Sequence, residues 1–165
     1  MKKAFTIIEL IFVIVILGIL SAVALPKFAK TKELADISKA RSDVAAIRSS
    51  ILTERQSQLI KGNNLTPFIP KLSPTGATTG STLFTGNGTR KLMTYGIVAG
   101  SSSTVPGKWT VVASTGELQY NFRVDEEDIL FKYYTNNNTD GEPDGTFSCD
   151  RDDVSTGATC KKLVD

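Results

Sequence analysis

The sequence predicts an α+β protein: a long N-terminal α-helix, membrane-spanning in its first half, packed in its second half against a small C-terminal antiparallel β-sheet. Three observations predict it. From Phe5 to Leu25 only Thr6, Glu9 and Ser21 are polar. From Lys27 to Lys61 there is neither Pro nor Gly, and apolar residues recur at helical spacing. From Lys108 onward, alternating aromatic and β-branched residues are separated by turn signals, the pattern of short strands.

The first element is the apolar run. About 20 apolar residues in a helix cross a bilayer core, and Lys2 and Lys3 precede the run, which leaves the N-terminus cytoplasmic by the positive-inside rule. Three readings fit this much. One is a simple signal anchor that tolerates Glu9 as an interfacial charge. A second is a secretory signal peptide cut after the small residues Ala22-Val23-Ala24. Against it, the apolar run is long for such a leader, an acid stands near its start, and a helical pattern continues directly past the cut.

The third reading accounts for Glu9. A short basic leader ending in a small residue is followed by Phe5, Thr6, Glu9, Leu10, Gly18 and Pro26. This stretch resembles the N-terminus of type IV pilins and of the pseudopilins of type II secretion systems. The resemblance implies cleavage between Ala4 and Phe5 by a membrane-embedded aspartyl prepilin peptidase, then methylation of the new Phe5 amine. Ala4 departs from the family, which usually has Gly before the cut. The resemblance also implies a partner for Glu9. A lone charge in hydrocarbon costs several kcal/mol, and in a filament of packed helices Glu9 could neutralise the Phe5 amine of a neighbouring subunit. It implies residence in the bacterial inner membrane before assembly, and afterwards in a periplasmic or extracellular filament. The implied partners are other pilin subunits and the assembly machinery. Within the family, pilus and pseudopilus both remain open, as does a minor pilin with an adhesive or DNA-contacting role.

Pro26 would kink or loosen the helix, since it lacks an N–H and clashes with the preceding turn. Beyond it, Leu34, Ile37, Val44, Ile47, Ile51 and Leu59 fall near one face, with Lys39, Arg41, Asp43, Arg48 and Glu54 mostly elsewhere. Gly62-Asn63-Asn64 supplies a stop. The expected organisation is a leader at 1–4, a membrane or filament-core helix at 5–26, an amphipathic half at 27–62 and a β-rich head at 63–165.

In the head, residues 65–107 are rich in Thr, Ser, Gly and Pro, and hold short strands or a turn of helix. KWTVVAS, Thr115-Gly116 and ELQYNFRV read as a β-hairpin, and DILFKYYT as a third strand after an acidic turn at 125–127. These strands would lay Trp109, Val111, Tyr120, Phe122, Ile129 and Phe131 partly against the helix, with Tyr133 and Tyr134 at a strand end open to exposure. The arrangement again resembles the pilin fold.

Cys149 and Cys160 are the only cysteines. In an exported chain such a pair reads as one disulfide closing a short loop, and the resemblance implies the disulfide-bounded C-terminal loop of many pilins. A two-thiol metal or redox site would call for a tight C-x-x-C or further ligands. In NNNTDGEPDG, the oxygens of Asn136, Asn138, Asp140, Glu142 and Asp144 alternate before glycines, as in a calcium loop, although the closing acid of an EF-hand is missing. Calcium and a solvated turn both remain open there, with Asp150, Asp152 or Asp153 as further donors.

Composition excludes other classes. There is no histidine, which removes His-based triads and most zinc sites. The net charge of +2 comes from the leader lysines, so the rest of the chain carries no general nucleic-acid surface, and no specific nucleic acid is expected. No nucleophile elbow or placeable acid pair points to an enzyme.

Overall fold

The computed structural model describes residues 5–63, 72–74, 77–86, 88, 90–112, 118–134 and 142–165. The chain divides into two compact units, residues 1–35 and 36–165. Helix α1, Ile7–Ile60, supplies residues to both.

In the first unit, every large apolar side chain from Phe5 to Phe28 is exposed, Phe12 at 65% and Leu25 at 69%. Leu, Ile, Val and Phe occupy all faces of this helical stretch, so it has no polar side to present to water. A helix apolar all round belongs in lipid or among other helices. Pro26 removes one backbone donor, and α1 is helical on both sides of it.

In the second unit, α1 becomes amphipathic. Ile37, Ala40, Val44, Ile47 and Ile51 are buried at alternating spacings of three and four, one stripe of a helix. Ala40, fully buried, leaves room for close approach of the sheet. The helix ends in a Schellman motif. Gly62 takes φ 70°, its N–H bonds Leu59 O at 3.0 Å, and the Asn63 N–H bonds Gln58 O at 3.0 Å. The stop expected at Gly62 is therefore met by the one residue type that adopts this conformation cheaply.

Six strands follow among the described residues. β1 (Thr82–Leu83) and β2 (Ile97–Val98) form a two-stranded ribbon. β3 (Trp109–Val112), β4 (Leu118–Val124), β5 (Glu127–Tyr133) and β6 (Phe147–Cys149) form an antiparallel sheet in that order. A short helix α2, Gly157–Val164, closes the chain. The expected Thr115-Gly116 turn lies outside the described residues, but the strands on either side pair as that hairpin requires, Trp109 opposite Phe122 and Val112 opposite Gln119. Asp125 and Glu126 make the β4–β5 turn, with Asp125 at φ 51°.

The period of two puts Trp109, Tyr120, Phe122, Ile129, Phe131 and Phe147 into one core with the α1 stripe. Their rings pack edge to face, tilted or stacked, Trp109 to Phe131 at 5.0 Å, Phe131 to Phe147 at 5.3 Å, and Phe84 joins them against Tyr120 at 4.6 Å. Such aromatic pairs add about 0.5–1.5 kcal/mol each beyond burial. The Trp109 indole N–H finds Asp43 Oδ2 at 2.9 Å, which ties the sheet to the helix by a polar contact as well.

Three expectations are corrected. Leu34 and Leu59, read as part of the buried stripe, are 65% and 55% exposed. The apolar repeat is longer than the surface that covers it. Glu54, read as solvent-facing, is buried, because Arg90 folds over it with Nε 2.6 Å from Oε1. Tyr133 and Tyr134 are both buried. Tyr133 faces the helix, while residues 145–146 pair with Tyr134, the Tyr134 N–H donating to Thr146 O at 2.9 Å and the Gly145 N–H to Tyr134 O at 2.7 Å.

Candidate functional site

Two regions carry the expected site residues. At the N-terminal one, Ala4 lies outside the described residues, Phe5 is exposed, and Thr6 precedes the first helical residue, Ile7. Glu9 reaches back over this end of the helix. Its Oε2 accepts from Thr6 N at 3.3 Å and from Thr6 Oγ1 at 3.2 Å, and the Glu9 N–H donates to Thr6 Oγ1 at 3.4 Å. This is a capping box, in which Thr at the N-cap and Glu three residues later satisfy each other's orphan donors. The T-x-x-E signal stands in the sequence, but reading Glu9 toward a neighbour left its own helix out of account. A carboxylate here is also favoured by the positive end of the helix dipole. The three contacts are longer than the usual ranges of about 2.7–3.2 Å for N–H and about 2.5–3.0 Å for O–H donors, so the carboxylate is steadied by its own chain without being saturated by it.

The second region is the C-terminal loop. Cys149 in β6 and Cys160 in α2 form a disulfide with Cα atoms 5.9 Å apart. Closing a loop of this length contributes about 2–3 kcal/mol in the chain-entropy account. Inside it, Asp153 Oδ1 accepts from Ser155 N at 2.9 Å, Ser155 Oγ at 2.7 Å, Thr156 N at 2.7 Å and Thr156 Oγ1 at 2.9 Å. Those donors hold the Asp153 carboxyl well below the usual carboxylate range. Asp150 accepts from the Asp152 N–H at 2.9 Å, and Asp152 stands 3.9 Å from Lys161. Of the three acids considered as additional metal donors, Asp150 and Asp153 are thus engaged in shaping the turn that leads into α2.

Of the calcium residues, Glu142 and Asp144 are exposed, and Asp144 precedes Gly145 at φ 85° in a turn. Asn136, Asn138 and Asp140 lie outside the described residues. Among the described residues no three metal-ligating side chains come together, so the structure assembles no cation site from Glu142 and Asp144 by themselves.

Comparison with known proteins bears on the first region. Residues 1–25 match the family model for the prokaryotic N-terminal methylation motif. The chain is 42% identical over 50 residues to a type II secretion system core protein G of Dickeya chrysanthemi, covering 30% of this chain and 33% of that one. It is 43% identical over 56 residues to a fimbrial protein of Moraxella nonliquefaciens, covering 34% of this chain and 36% of that one. A core protein G of Pectobacterium carotovorum subsp. carotovorum is 40% identical over 50 residues, with 30% and 32% covered. The chain spans about a third of the length of the curated relatives it matches. No solved structure matches it. The N-terminus thus resembles a prokaryotic methylation motif, and the chain is similar in part to two type II secretion core proteins G and a fimbrial protein.

Proposed function

We propose that the chain is a structural subunit of a bacterial filament, a type IV pilus or a type II secretion pseudopilus, and not an enzyme. The observation that carries this reading is the stretch from Phe5 to Phe28, whose large apolar side chains lie on every face and are all exposed, in a chain whose residues 1–25 match a methylation motif. Lipid can cover such a helix before assembly, and neighbouring helices can cover it afterwards, so one surface serves both states. Glu9 then has two uses in sequence, capping its own helix and facing the Phe5 amine of a neighbour. Prepilin peptidase would cut between Ala4 and Phe5, and assembly would draw the subunit from the inner membrane. Intact-mass analysis of the protein from its native membrane tests the reading. The expected species lacks residues 1–4 and carries one methyl group on Phe5, whereas a start at Leu25 would replace the filament subunit with a secreted protein.

Calcium on the loop from Asn136 to Asp144 is a separate part of the proposal, supported by its alternating oxygens and by the Asp144-Gly145 turn. Chelator added to the detergent-solubilised full chain should lower its Tm, by about 2–4 °C for each kcal/mol of binding lost. An unchanged Tm removes calcium from the account and leaves the filament reading intact.

A further inference from the structure

A cavity of about 600 Å³ opens beside β6, lined by side chains of α1, β5, β6 and the loop that leads to the disulfide-linked α2. Arg48, Lys132, Thr146 and Ser148 are half-buried and Tyr134 is buried, while the acids on the wall, Glu142, Asp150 and Asp152, are exposed. The withdrawn wall therefore carries Arg48, and the solvated part carries the three acids together with the exposed Arg151.

Arg48 is the central group. Its Nε donates to Phe147 O at 3.0 Å and its Nη1 to Val164 O at 3.3 Å. Both acceptors are neutral carbonyls, so the guanidinium is oriented without being neutralised. Arg151 stands near enough to repel it, and burial together with that repulsion pushes the Arg48 guanidinium down from its usual value, against a smaller pull from Asp165. Arg151 itself pairs with Asp165 at 3.0 Å. A guanidinium presents five donors in a planar fork, and two are used here.

We infer that this cavity binds a small oxyanion, a phosphate or carboxylate, between Arg48 and Arg151, the two arginines on its wall. An oxyanion would supply the charge that two carbonyls cannot, through charge-assisted bonds in the planar geometry that arginine favours. The exposed acids set a condition on the ligand: a compact anion passes them, whereas a long polyanion would be repelled.

The test is calorimetric titration of the full chain in detergent at constant ionic strength, with inorganic phosphate and with succinate. Saturable binding of either is expected. Arg151→Gln, at an exposed position, should weaken it about tenfold, as loss of one charge-assisted contact implies. Arg48→Lys, which keeps the charge but loses the fork, should weaken it too, and Lys91→Gln, outside the cavity, should not. No saturable binding at millimolar concentrations of either probe overturns the inference. So does binding that Arg151→Gln and Lys91→Gln reduce equally, since that would be general charge attraction.

Discussion

Cells carrying Glu9→Ala are expected to insert the protein into the membrane normally and to yield at least about tenfold fewer filaments, the effect of some 1.4 kcal/mol or more per contact. The structure gives this result two competing causes. Removing Glu9 abolishes the capping box with Thr6 and also the charge proposed to meet a neighbour's amine. Glu9→Gln separates them, because glutamine serves the N3 position of a capping box as glutamate does but carries no charge. If the pairing between subunits drives assembly, Gln should fail as badly as Ala. Thr6→Ala should then be mild, since it removes a cap of about 0.5–2 kcal/mol while leaving the carboxylate in place. If capping is the reason for Glu9, Gln should assemble like the unaltered protein and Thr6→Ala should fail. Sheared-filament yield and the membrane-bound fraction, measured side by side, read both outcomes.

What the sequence discloses depends on whether a signal is local. The apolar run, the Gly62 stop, the strands from Trp109 to Tyr133 and the Cys149–Cys160 pairing rest on patterns within a few residues, and the structure contains each of them. The misread residues depend on what covers them. Leu34 and Leu59 keep the helical period of their neighbours, yet exposure is decided by the extent of the sheet, which periodicity does not encode. Tyr134 is buried because residues 145–146 return to it after a long excursion in the chain. Glu54 is buried because Arg90, 36 residues away, closes on it. Arg90 belongs to a Thr/Ser/Gly-rich stretch whose two-residue strands leave almost no hydrophobic pattern to read. At the N-terminus the T-x-x-E signal is local, and the carboxylate that caps its own helix is the same one proposed to meet a neighbouring amine.

The Glu54–Arg90 pair carries the largest expected effect on the stability of the head. Glu54 is 7% exposed, and its Oε1 receives Arg90 Nε at 2.6 Å and Gln58 Nε2 at 2.9 Å. Arg90 is itself largely withdrawn from solvent, so Glu54→Leu would take the carboxylate away from a guanidinium that cannot shed its proton. Breaking such a pair from one side costs about 3–5 kcal/mol, and the residual exposure of Arg90 places the expectation at the lower end. At about 2–4 °C per kcal/mol for a chain of this size, the Tm should fall by roughly 10 °C. Arg90→Met should do comparable damage by leaving the carboxylate buried. The double variant Glu54→Leu with Arg90→Met is the decisive measurement. Two apolar side chains of similar volume remove both desolvation costs at once, so it should recover most of the lost stability. The pair would then be a device that aligns the 82–93 segment on α1 more than a source of net stability. If the double variant instead falls by the sum of the two single losses, the residues act independently and the coupling argued from their 2.6 Å contact is wrong.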